Sequence, residues 1–142
     1  TSDPLVYTAT FTATDGFAGT GSVSVAAGSY TDASLNEGGA GSDTVAIDRE
    51  NPTVTVDIAD SALSDGDASS TVTFSFSKAP VGFTADDIAA AGGTLSGLAA
   101  TSDPLVYTAT FTATDGFAGT GSVSVAAGSY TDASLNEGGA GS

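Results

Sequence analysis

The chain holds 142 residues, of which seventeen are Asp or Glu and only two, Arg49 and Lys78, are basic, for a net charge of −15; Cys, His, Met and Trp are absent. That alphabet excludes disulfides, Cys-ligated zinc and Ser-His-Asp triads, and the lack of a basic patch excludes nucleic acid as a partner. Enzymatic activity is accordingly not expected, and no apolar run nears the roughly 18 residues of a membrane-spanning helix, so no membrane contact by this segment is expected either.

Residues 1–42 recur letter for letter as residues 101–142, so the chain carries one 100-residue period and 42 residues of a second. Solenoid units are usually about 20–50 residues long; this period suits whole domains in tandem. In chain order, residues 5–12 (LVYTATFT) alternate Leu5, Tyr7, Ala9 and Phe11 with mostly threonine. Residues 21–27 set Val23 and Val25 against Ser22 and Ser24, and residues 43–48 (DTVAID) offer Val45 and Ile47. Arg49-Glu50-Asn51-Pro52 follows, where Pro52 disfavours helix at Asn51 and stiffens the joint. Residues 53–59 alternate Val54, Val56 and Ile58 with Thr55 and Asp57; residues 71–77 alternate Val72, Phe74 and Phe76 with Thr73 and Ser75.

A weak strand is expected near 81–83, and residues 84–91 (TADDIAAA) predict one helical turn, capped by Thr84, with Asp86 and Asp87 at its positive end. Another weak strand is expected over 94–98, after which 105–112 and 121–127 repeat the opening pair. Period-two alternation of β-branched and aromatic residues marks half-buried antiparallel strands. About seven strands in about 100 residues predict an all-β, Ig-like antiparallel two-sheet sandwich.

On this reading residues 1–50 are the last three strands of one repeat plus a linker, and residues 51–142 are the next repeat without its last strand. Either the chain is a window on a longer array, or copies associate head to tail by donating residues 43–48 to an exposed strand edge.

The acid excess points to bound cations, because carboxylate, carbonyl and amide oxygens suit Ca2+, which takes roughly six to eight of them. One expected set lies at the joint between repeats. It takes Asp15 from the turn before residues 21–27, Asp48 and Glu50 from the linker, Asp103 from the turn before 105–112, and Asp132, Asn136 and Glu137 from the loop after 121–127. A second takes Asp60, Asp65 and Asp67 from the loop after 53–59, with Asp115 from the turn after 105–112. Residues 38–46 (GGAGSDTVA) match one calcium nonapeptide, but a β-roll needs consecutive copies, so they read as a Gly-rich loop entering a strand.

Together, NPTVTV, TVTFSFSKAPVGFTADDI, GGTLSGL, the LVYTATFTATDGFAGTGSVSVAAGSYTDASLN block and DTVAID closely resemble the bacterial Ig-like tandem repeats of large RTX-type biofilm and ice-binding adhesins of Gram-negative bacteria. The resemblance implies an extracellular extender on the cell surface, neighboured by identical repeats, and stiffened by Ca2+ at and near the junctions. The alternative is a carbohydrate- or cell-binding module on the same sandwich. That would need an exposed aromatic platform, for which Tyr130 and Phe117 are the candidates.

Overall fold

Identical sequence adopts different structure in the two copies, and burial is what separates them. The computed structural model describes residues 2–142, which divide into two units between Glu50 and Asn51. In the first unit, β1 (Ala18–Val25) and β2 (Gly41–Asp48) form one antiparallel hairpin running from Ala18 opposite Asp48 to Val25 opposite Gly41. Residues 5–12, expected to be a strand, are not one here. Their counterpart in the second unit is a strand because it pairs on both edges; no such partners pair with residues 5–12 among the described residues.

The second unit builds two sheets. The strands β3 (Val54–Ile58), β4 (Ser69–Phe76), β6 (Gly93–Ala100) and β7 (Val106–Ala113) form an antiparallel sheet in the order β3-β4-β7-β6. The strands β5 (Ile88–Ala91) and β8 (Ser122–Val125) form the other. Alternation decides what is buried: Val72, Phe74 and Phe76 of β4 point inward, opposite Ala109, Tyr107 and Val54. Val123 and Val125 of β8 close the core from the other side. Phe83 sits inside an edge-to-face aromatic cluster, with ring centroids 4.9 Å from Phe76, 5.4 Å from Tyr107, 5.6 Å from Phe74 and 6.1 Å from Tyr130.

Two expectations for 81–91 need correction. Residues 81–83 are not a strand: Val81 makes one bridge to Thr131, and Gly82 turns the chain through φ 76° so that Phe83 drops into the core. The helical turn reduces to a three-residue 3-10 segment, Ala85–Asp87, whose Asp87 carboxylate accepts the Thr84 N–H at 2.7 Å. Beyond it lies β5, antiparallel to β8 with Ile88 opposite Val125. A single residue, Gly92 at φ 77°, then carries the chain from one sheet into the other, a conformation that favours glycine.

Equivalent side chains in the two copies differ in burial. Tyr30, Phe11 and Val25 are 54%, 50% and 48% exposed, whereas Tyr130, Phe111 and Val125 are 2%, 3% and 1% exposed.

Candidate functional site

The loops that carry the acids are built from local hydrogen bonds. In the loop following β8, the Asp132 Oδ1 accepts the N–H groups of Ser134 (2.9 Å) and Asn136 (3.0 Å), and Asn136 Nδ2 donates to Asp132 Oδ2 at 3.1 Å. Asp32, Ser34 and Asn36 repeat this arrangement at 2.8, 3.0 and 2.9 Å, although their loop is exposed. The backbone pair of Gly138 N–H to Tyr130 O and Gly128 N–H to Gly138 O, both 2.8 Å, is also duplicated at Gly38, Tyr30 and Gly28. The loop therefore folds on its own chemistry, an Asp side chain bonding backbone two and four residues on.

Asp132 and Asn136, expected as metal ligands, thus serve as partners to each other. Lys78 Nζ adds an ion pair to Asp132 Oδ2 at 3.6 Å. Burial works against the Asp132 charge, but the bonds from Asn136 and Ser134 and the Lys78 ammonium outweigh it and hold the carboxyl below its ordinary pKa. The second cation makes a similar contact in the first unit. Arg49 Nη2 lies 3.5 Å from Asp15 Oδ1, and Nη1 donates to Ala13 O at 2.7 Å. Both basic residues of the chain therefore stand on acids proposed as ligands.

Of the remaining junction acids, Asp48 Oδ1 accepts the Glu50 N–H at 3.3 Å, and Asp103 Oδ1 accepts the Leu105 N–H at 2.9 Å in the turn leading to β7. Asp15, Asp48 and Glu50 belong to the first unit; Asp103, Asp132 and Asn136 belong to the second. The other set is partly assembled. Asp65, from the loop between β3 and β4, and Asp115, from the turn after β7, line one groove of about 560 Å³ with Leu63 and Phe117. Asp67 closes the tight turn across from Ser64, and Asp60 lines a different cavity. Among the described residues no three carboxylates come together as a metal-binding group. Of the expected ligands, Asp65 and Asp115 are the two that line one groove.

The linker is a feature that sequence reasoning missed in detail. Its first residue is tied to the first unit by Arg49 N–H to Phe17 O at 2.8 Å, in addition to the guanidinium contacts. On the second unit Pro52 is fully buried, its carbonyl accepts the Gly139 N–H at 2.9 Å, and Thr53 N–H donates to Ser77 Oγ at 2.8 Å. Only Glu50 and Asn51 lie between the anchored residues. The signal for Arg49 was present, since it is one of two cations in an acidic chain.

Tyr130, named as a candidate exposed ring, is buried and donates its hydroxyl to Gly139 O at 3.1 Å; Phe117 remains exposed. Of the two rings expected to form a sugar platform, Phe117 alone is exposed.

The four-stranded β3-β4-β7-β6 sheet facing β5-β8 defines an Ig-like antiparallel sandwich. A family model described as bacterial Ig-like domain matches residues 48–142, which is 95 of the 142 residues, and the chain belongs to that family. Bacterial Ig-like domains are typically extracellular or surface-exposed. No helix among the described residues is long and apolar enough to cross a membrane. No curated protein and no solved structure matches the chain.

Proposed function

We propose that the chain is a stretch of a stalk on a Gram-negative cell surface, an adhesin extender of the RTX type, whose tandem repeats hold a distal ligand-binding region away from the cell. The observation that carries this reading is the linker. A 100-residue period, 42 residues of which recur without a mismatch, carries a joint anchored on both sides, with two residues between the anchors. A tether built for flexibility would be longer, rich in Gly and Ser, and unattached. A stalk needs no catalytic group, and its partners are the neighbouring repeats.

Calcium is the second part of the proposal. Seventeen carboxylates against two cations repel one another, and a divalent ion between Asp65 and Asp115 would draw the loop after β3 onto the turn after β7. An ion that binds only the folded state stabilises it by mass action, by about 2.7 kcal/mol at one hundred times its dissociation constant. Calorimetric titration with Ca2+ should therefore give saturable binding and a raised melting temperature, and Asp65→Asn with Asp115→Asn should abolish both. Magnesium should substitute poorly, because it demands a tight octahedron and keeps its water. A second protein with two complete repeats separates loop sites from junction sites, since the latter appear only there. Identical melting curves in chelator and in millimolar Ca2+ would remove the ion from this account.

A further inference from the structure

Two Asp-Gly dipeptides of this chain are held differently. Asp-Gly occurs at residues 15–16 and again, outside the duplicated segment, at residues 65–66, and both are exposed. A glycine after aspartate leaves the next backbone nitrogen unshielded by a side chain and free in φ, so that nitrogen can reach the aspartate Cγ.

At residues 15–16 the turn is pinned by Arg49. Its Nη2 lies 3.5 Å from Asp15 Oδ1, its Nη1 donates to Ala13 O at 2.7 Å, and its backbone N–H donates to Phe17 O at 2.8 Å. The Asp15 carboxylate and the backbone on both sides of the dipeptide are thus fixed to one residue. Asp65-Gly66 is the tip of the turn between β3 and β4. Its flanks are closed by Ser64 N–H to Asp67 O at 2.9 Å and Asp67 N–H to Ser64 O at 3.0 Å. Between those bonds, among the described residues, no hydrogen bond holds the Gly66 N–H and no ion pair holds the Asp65 carboxylate. A Cβ placed on Gly66 would meet only Ser64 Oγ, at 3.9 Å, so the space around the tip is open. Exposed tips of this kind are the least restrained parts of a fold.

We propose that Asp65-Gly66 is a site of spontaneous covalent modification, at which aspartate becomes isoaspartate, and that Arg49 protects Asp15-Gly16 from the same reaction. The Gly66 nitrogen attacks Asp65 Cγ. An N–C bond forms, the Cγ–OH bond breaks, and the amide proton leaves with the hydroxyl as water, giving a succinimide. Water then adds to one of the ring carbonyls. Breaking the bond from nitrogen to Cγ restores aspartate; breaking the bond from nitrogen to the main-chain carbonyl carbon gives isoaspartate. No oxidant or reductant takes part, and the mass of the chain is unchanged. Isoaspartate adds one methylene to the main chain, so the Ser64–Asp67 pair no longer closes over two ordinary residues. The carboxylate is displaced within the groove it lines with Asp115.

The test is to incubate the 142-residue chain in chelator at neutral pH and raised temperature. Isoaspartate is then quantified with protein isoaspartyl methyltransferase and located by electron-transfer fragmentation of peptides. Chelator makes the result independent of the calcium reading. Isoaspartate should accumulate at residue 65, with residue 15 lagging severalfold behind. Gly66→Ala, which fits the open turn, should lower the yield at residue 65 severalfold with unaltered circular dichroism. Arg49→Ala should raise the yield at residue 15 towards that at residue 65 and leave residue 65 as it was. Absence of isoaspartate at residue 65, equal yields at the two positions in the parent chain, or indifference to either substitution would overturn the proposal.

Discussion

Phe74→Ala should remove most of the stability of the second unit. Phe74 is fully buried at the centre of β4, opposite Tyr107, and its ring meets Phe83 edge to face at 5.6 Å. Truncating a buried Phe costs about 3–5 kcal/mol, through lost transfer free energy and the cavity left behind. Domains of this size have about 5–15 kcal/mol in all. Here the neighbours are β-sheet residues held by ladders on both sides, so collapse around the void is limited. Urea denaturation followed by circular dichroism should show a sharply lowered midpoint. A midpoint within experimental scatter of the parent would mean that the aromatic cluster is not what holds the two sheets together.

The second prediction uses the duplication as its own control. A methyl group on Gly138 would overlap the Tyr130 ring, which is buried, edge-to-face with Phe76 at 5.1 Å, and hydrogen-bonded to Gly139 O. Gly138→Ala therefore forces a packed ring to move, and overpacking of this kind costs about 1–3 kcal/mol. Gly38→Ala creates the same overlap with Tyr30, but that ring is more than half exposed and can turn outward. Two substitutions in identical sequence should then differ: the first lowers the urea midpoint of the second unit, and the second leaves it unchanged. Equal effects would show that the strain is set inside the loop rather than by the core behind it.

The duplicate also explains what could be read from sequence. Residues 71–77 and 105–112 gave β4 and β7 with the correct inward faces, because alternation of Val and Phe with Thr and Ser is a direct record of a half-buried sheet. β5 was not legible. Ile88–Ala91 is IAAA, which does not alternate and is rich in a residue depleted from strands; it is extended because Val125 and its neighbours pair with it. Residues 5–12 fail in the opposite direction: the pattern is present, and no strand pairs with it among the described residues. Strand structure there is a tertiary property, and one copy of the sequence cannot reveal which copy has the partners.

The acidic site divides along the same line. Composition made the case for cations, but the destination of each carboxylate depends on loop geometry. Asp132 could have been read as a loop clasp, since Ser134 and Asn136 follow at the spacing of an Asp that bonds its own backbone. That Asp65 and Asp115 line one groove depends on how two separate turns fold at the end of the sandwich, and spacing alone placed them only near one pole. Arg49 and Lys78 were noticed for their rarity, and their rarity is the reason each finds an acid.

An extender of this kind needs a stiff joint between repeats. It is tested most directly by small-angle X-ray scattering of a protein with two complete repeats, measured in Ca2+ and in chelator. The maximum dimension in Ca2+ should be close to twice that of one repeat. Arg49→Ala with Pro52→Gly, which removes the guanidinium contacts on one side and the buried ring on the other, should shorten the mean extension. A broad distribution of compact and extended forms in Ca2+, unaltered by releasing the anchors, would contradict it.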